Sequence, residues 1–309
     1  MRPFGRKTNE DTFMAFERSR AILGRMGIAA PETAATPHIV DTLIAERSRK
    51  LVAHPLWPVL RPFLHRILHY REAVRMADEV APLSGLEGLD YMSRLLNLDL
   101  TVRGSERIPR VGGFVLVINH PTGVADGIAL YDAIKSMRRD LAIFTNRDAI
   151  RVNRRFADIL IPVEWRAEFK STARARETLV GTNRAVKEER AIVIFPSGRI
   201  AYWYKNGLTE RPWQSSAVAL ARRHALPVLP AHLSARNSWL FYLFADWNTE
   251  LRDMTVFHEV LNKKGKPFAV SFGPMIAPQA LDGDLDAVTA RLRHHCAVTL
   301  KQDPDAVFV

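Results

Sequence analysis

Phe114–Gly127 reads FVLVINHPTGVADG, and the chain's fold and chemistry turn on it. Phe114 to Asn119 is a short, continuous apolar run of strand length, rich in β-branched residues, of the kind buried on both faces of a sheet. Pro121 and Gly123 stop the strand, so His120 opens a loop that Asp126 closes. A strand end followed by such a loop is where an α/β sheet presents functional side chains to solvent. Five residues separate His120 from Asp126, short enough for the carboxylate to fold back on the imidazole. That contact would hold one ring nitrogen as a donor and leave the other to accept a proton, the requirement for a general base near neutral pH. A histidine that merely caps the following helix would leave the same trace, so the pair needs context.

Six further runs share the strand character: Leu98–Val102, Leu141–Thr145, Ile159–Val163, Ala191–Phe195, Val228–Leu233 and Phe268–Phe272. Amphipathic stretches at Ser171–Arg190, Ser215–His224, Met254–Lys263 and Leu285–Leu300 lie between or after them, which predicts an α/β fold with a mixed, largely parallel sheet flanked by helices. Upstream, Ile39–Leu96 repeats apolar residues at helical spacing among many charges. The texture changes near residue 98, so residues 1–98 are expected to form an N-terminal helical module and 99–309 the catalytic domain.

The second informative junction is Phe195–Ala201, FPSGRIA, directly after an apolar strand. Pro196 and Gly198 set a tight turn, Gly198 permits close backbone approach, and the planar fork of Arg199 suits a phosphate or carboxylate. A third strand, in LPVLPAHL at Leu226–Leu233, carries His232 near its end, either lining the site or packed as a structural histidine.

These three blocks, in this order, resemble those of the glycerol-3-phosphate and lysophospholipid acyltransferase superfamily, over about Val102–Pro274. NHPTGVAD resembles its catalytic His and Asp block, FPSGR its F-P-E-G-T-R block, and LPVLPAHL its later proline-bearing block. Phe144–Trp165, with Asn146 and Arg147, stands where the superfamily's second block helps hold the acceptor's polar head. The RNSWLFYLF segment, Arg236–Phe244, points to the hemolysin-like and ornithine-lipid branch. The resemblance implies transfer of a fatty acyl group from acyl-CoA or acyl carrier protein to a lysolipid hydroxyl, with His120 as base and Asp126 behind it. It also implies a substrate site formed by Asn119, Thr122, Gly123, Asn146, Arg147, Pro196, Ser197, Gly198 and Arg199, with no permanently bound cofactor and no metal. Backbone N–H groups around Gly123 or Gly198 are the expected oxyanion donors.

Two departures shape the expected substrate. The His-to-Asp loop is one residue longer than the superfamily's usual spacing, and Ser197 replaces the Glu of the third block. The second makes a lyso-ornithine lipid or another lysolipid a better candidate acceptor than glycerol 3-phosphate. It also leaves room for the alternative of a non-catalytic lipid-binding protein that keeps the fold.

With 44 basic against 33 acidic residues the chain carries a formal +11, which attracts polyanions. No zinc-finger spacing or aromatic RNA-binding signature accompanies that charge, so no specific nucleic acid is expected. His54–Arg71, HPLWPVLRPFLHRILHYR, and Trp239–Trp247, WLFYLFADW, mix aromatic, apolar and, in the first, basic residues, as a membrane surface requires, although a core-facing helix shows the same period. Charges interleave through Met1–Arg20, against a secretory signal, and a single cysteine, Cys296, fits a reducing compartment. The expected location is the cytoplasmic face of an inner membrane, bound peripherally. Arg151, Arg154 and Arg155 are read either as a solvated helix face or as phosphate contacts, and Cys296 as a packed side chain.

Overall fold

Each of the seven expected strands pairs into one sheet in the computed structural model, in the order β1-β9-β8-β2-β5-β3-β4. The strands are β1 (Asp99–Arg103), β2 (Phe114–Ile118), β3 (Leu141–Asn146), β4 (Leu160–Val163), β5 (Ala191–Ile194), β8 (Val228–Ser234) and β9 (Pro267–Phe272). All neighbours run parallel except β8 and β9. The sheet is therefore mixed and largely parallel, with helices on both faces. A two-stranded antiparallel hairpin, β6 (Tyr202–Tyr204) with β7 (Gly207–Thr209), was not foreseen. Three-residue strands around a turn leave too little alternation for a sequence pattern to register.

The structure describes residues 37–164, 169, 171–205 and 207–309. The charge pattern at Met1–Arg20, the first part of the expected N-terminal module, and Trp165 at the end of the second block lie outside them. Residues Ile39–Val309 form one compact unit.

β2 occupies the middle of the sheet, between β5 and β8, and every residue from Phe114 to Ile118 is buried. Its two faces feed two cores. Phe114, Leu116 and Ile118 pack with the helix Val124–Ile134, whereas Val115 and Val117 pack with Ser216–Arg223 and Leu285–His294. The chain leaves β2 toward β3 on one side, and β8 later closes the other. The C-terminal end of β2 is thus a point where the order of connections reverses, the place where open α/β sheets bind ligands.

Helices at Ile39–Arg47, Trp57–Ile67, Tyr70–Val80 and Gly85–Leu96 precede the sheet. A third core, of Val40, Ile44, Leu68, Ala73, Ala77 and Met254, joins the first three to the helix Thr249–Met254, whereas Gly85–Leu96 packs on the Phe114 core through Leu96. Among the described residues no helix is long and apolar enough to cross a membrane.

Candidate active site

Asp126 is the third residue of the helix Val124–Ile134 and fully buried. Its carboxylate accepts the backbone N–H groups of Thr122 at 2.9 Å and Gly123 at 3.0 Å, and the Thr122 hydroxyl. A carboxylate in the first turn is favoured by the helix dipole and by the otherwise unpaired N–H groups there. The loop can wrap this tightly because Gly123 sits at φ +102°, a conformation open to glycine and strained for other residues.

His120 Nδ1 lies 2.9 Å from Asp126 Oδ2, with the imidazole about one-fifth exposed. The contact is close but bent: Nδ1 does not reach the straight alignment of a full hydrogen bond. The ring rests against Phe195, the last residue before the FPSG turn, with centroids 4.5 Å apart. The backbone carbonyl of His120 accepts the Ala201 N–H at 2.9 Å, which ties the first loop to the chain after the turn. Asn119 is spent in holding β2 to β8: its side chain donates to the Leu233 carbonyl at 2.9 Å and accepts the Leu233 N–H at 2.7 Å.

Sequence reasoning missed Glu210. This residue, just past β7, is buried, and Oε2 accepts the His120 backbone N–H at 3.2 Å while Oε1 accepts the Trp213 indole N–H at 3.2 Å. The Ser197 hydroxyl lies beside both this carboxylate and the Arg199 carbonyl, 2.8 Å away, and its one proton serves either. A carboxylate therefore does reach the third block, from Glu210 and not from position 197. Burial pushes the Glu210 carboxyl above the usual range, against the opposing pull of Ser197, the His120 N–H, the His120 charge and Trp213. Its one trace in the sequence is an acid in an aromatic segment, Tyr202 to Trp213, which says nothing about where it points.

The structure also corrects the expected oxyanion donors. The Gly123 N–H is committed to Asp126 and the Gly198 N–H to the Phe195 carbonyl, at 3.0 Å in both cases. Neither is free, because both belong to the tight turns that made them attractive.

The remaining expected residues stand along the same sheet edge. Pro196 and Ser197 are buried in the turn after β5, with Gly198 and Arg199 exposed beyond them. Asn146 ends β3 and Arg147 follows it, on a strand that β5 separates from β2. The Arg147 fork pairs with Glu177 at 2.5 Å, and Asn146 Oδ1 caps Asp148 N. Arg151 is not a solvated face: it makes a two-pronged pair with Glu46, at 2.6 and 2.8 Å, and also reaches Asp148. The Arg155 guanidinium donates to the Pro82 carbonyl.

Two other candidates are structural. His232 Nδ1 lies 2.8 Å from the Cys296 carbonyl and Nε2 3.0 Å from Ser234 Oγ, and burial lowers its pKa to about 4. Cys296 is fully buried against β2, and desolvation pushes its thiol far up, opposite to what a thiolate nucleophile needs.

The arrangement at the end of β2 thus offers an imidazole braced on a buried carboxylate, in a loop pinned from three sides, at an open sheet edge. A family model described as Acyltransferase matches residues 99–234, the segment that contains every one of these site residues. The chain is 22% identical over 226 residues to the lyso-glycine lipid O-acyltransferase of Bacteroides thetaiotaomicron, covering 71% of this chain and 81% of that protein. To the protein of the same name from Phocaeicola vulgatus it is 23% identical over 227 residues, covering 71% and 79%. Among solved structures, the 1-acyl-sn-glycerophosphate (LPA) acyltransferase PlsC from Thermotoga maritima aligns with a TM-score of 0.45 at 14% identity, over 85% of this chain and 96% of that one.

Proposed function

On the premise that residues 99–234 match the family model described as Acyltransferase, we propose that this chain transfers a fatty acyl group from a thioester to the hydroxyl of a lysolipid with an amino-acid headgroup. The observation that carries the reading is the 2.9 Å approach of His120 Nδ1 to the buried Asp126 carboxylate at the sheet's connection-reversal point. Relatives named for a lyso-glycine lipid substrate support the acceptor class.

With Nδ1–H turned toward Asp126, Nε2 is the base. It takes the proton of the acceptor hydroxyl as that oxygen attacks the thioester carbonyl, a step worth on the order of 10² to 10⁴ in rate. The tetrahedral adduct collapses, the C–S bond breaks, and the leaving sulfur takes the proton from the imidazolium, which restores the neutral base. Ester and free thiol are the products, and no covalent acyl-enzyme forms. Asp126 holds the ring and favours its charged form during transfer. The donor is acyl-CoA or an acyl carrier protein, and the +11 charge suits both as polyanions.

The acceptor and product are lipids, so the enzyme works at a membrane surface. Leu56, Val59 and Phe63 stand exposed on and beside the helix Trp57–Ile67, and Trp239, Leu243 and Trp247 on the helix Trp239–Trp247. Exposed apolar and aromatic side chains beside Arg61 and Arg66 support peripheral binding to an anionic leaflet.

The test incubates purified protein with labelled acyl-CoA or acyl carrier protein and a panel of lysolipids. O-acylated product that forms on an amino-acid lysolipid and vanishes in His120→Ala is expected; labelled product of equal yield in that variant would remove the proposal.

A further inference from the structure

The segment Arg236–Phe244 gives Trp239 and Leu243 to the exposed apolar surface, while its Asn237 is buried and its Tyr242 half-buried. It begins just after β8, which runs parallel to β2 with Ile118 beside Ala231. The register puts His120 level with Leu233, and the paired hydrogen bonds of Asn119 lock that level. Residues 235–238 therefore pass over the same sheet edge as the His120 loop.

Asn237 lies in that passage and is 4% exposed, yet neither Oδ1 nor Nδ2 has a hydrogen-bond partner in the protein. Among the described residues it is the one side chain with two unmet buried polar atoms. Buried amides are almost always satisfied, so a carboxamide with both ends unspent calls for a partner. Its backbone is not loose. Asn237 N–H donates to the Tyr242 hydroxyl at 3.1 Å, and the next residue, Ser238, is held by its N–H and hydroxyl on the buried Glu259 carboxylate, itself paired with Lys263 at 2.7 Å.

Tyr242 extends the pattern. Its oxygen accepts from Asn237, which leaves its own proton to give. Trp203 packs on its ring at 5.7 Å, and the Trp203 hairpin begins at Ala201, whose N–H holds the His120 carbonyl.

We propose that Asn237 and Tyr242 form the acceptor headgroup site and read the amide bond of an N-acylated amino-acid lysolipid: Asn237 Oδ1 accepts its N–H, while Asn237 Nδ2 and the Tyr242 hydroxyl donate to its carbonyl or carboxylate. This rests on the acyltransferase reading and sharpens its substrate class. A phosphate headgroup presents acceptors alone and would leave Oδ1 unmet; an amide presents both an N–H and a C=O, matching both ends of the side chain.

The experiment compares two acceptors, a 3-hydroxy fatty acid amide-linked to glycine and the isosteric ester in which oxygen replaces the N–H, with lysophosphatidate as a third. For wild type, kcat/KM for the amide should exceed that for the ester by about tenfold, the value of one hydrogen bond to a buried partner. Asn237→Ala should bring the two within about threefold by lowering the amide more than the ester. Asn237→Leu, of similar size with neither donor nor acceptor, serves if the alanine variant does not fold, and Tyr242→Phe should lower both acceptors alike. Quenching of tryptophan fluorescence by each acceptor gives the same ratio as an affinity, without turnover. A wild-type enzyme that treats amide and ester alike, or an amide preference that survives in Asn237→Ala and Asn237→Leu, overturns the assignment. Acylation of lysophosphatidate alone overturns it too while leaving the O-acyltransferase reading standing; an amide preference in binding with no acylation of any acceptor does the reverse.

Discussion

The carboxylate of Glu210 accepts the backbone N–H of His120 at 3.2 Å, from a point 90 residues farther along the chain. The imidazole is thus aimed by two acids: Asp126 beneath the ring, and Glu210 behind the backbone that carries it.

Replacing His120 by Ala should lower kcat by roughly 10² to 10⁴ with little change in melting temperature, because the side chain is partly exposed and makes one bent contact. Asp126→Asn should lower both. An amide nitrogen in place of Oδ2 would face the Thr122 and Gly123 N–H donors, a mismatch worth about 1–3 kcal/mol. Thermal denaturation beside steady-state kinetics separates the two effects.

Glu210→Ala leaves the His120 and Trp213 N–H groups without their acceptor, at a cost of about 1–3 kcal/mol, and should lower kcat more than it raises KM. Glu210→Gln carries a pH signature. Because burial raises the folded-state pKa, the folded protein holds its proton longer than the unfolded chain does. The stability this contributes is fully present below the ordinary glutamate range and is lost as pH rises through the folded value. Between pH 4 and 8 the melting temperature of Glu210→Gln should therefore gain on wild type; a gap that stays constant would contradict the burial of an ionisable group here.

A Cβ at Gly123 would meet Ile200 Cδ1 at 2.9 Å, on a backbone at φ +102°. Gly123→Ala is expected to cost roughly 1–3 kcal/mol and to loosen the Asp126 bonds. At Gly198, φ is +59° and a Cβ would meet nothing within 4 Å, so Gly198→Ala should cost only about 1 kcal/mol. Urea denaturation of the two variants checks the order.

His232 is buried with its pKa lowered to about 4 from an ordinary 6.5. The folded protein resists the proton that the unfolded chain accepts, so stability present above pH 6.5 is lost as pH falls toward 4. The loss is roughly 3 kcal/mol for such a shift. His232→Gln should flatten wild type's acid-side decline, read from urea midpoints across that window.

For membrane binding, Trp239→Ser with Trp247→Ser should reduce sedimentation with phosphatidylglycerol vesicles at low salt by about tenfold, as should Val59→Ser with Phe63→Ser. These side chains are far from core burial: Trp239 is 74% exposed, Trp247 76%, Val59 75% and Phe63 63%. Undiminished pelleting of both variants would assign binding to charge alone.

The strands and the His120–Asp126 pair could be read from the chain because each is local. FVLVI is a run too apolar for anything but an interior strand, and five loop residues confine the carboxylate to the neighbourhood of the imidazole. Glu210, Asn237 and Tyr242 were illegible for the opposite reason. Each takes its meaning from a partner brought near by the order β8-β2-β5, and no spacing along the chain encodes which acid, amide or phenol will face the dyad. Tertiary structure also decided how groups are spent. The Gly123 and Gly198 N–H bonds close their own turns, and Arg151 answers Glu46, because a folded chain pairs its donors wherever water has been expelled. The sequence by itself determined the strands and the approach of Asp126 to His120; packing alone determined the order of the strands and what surrounds that pair.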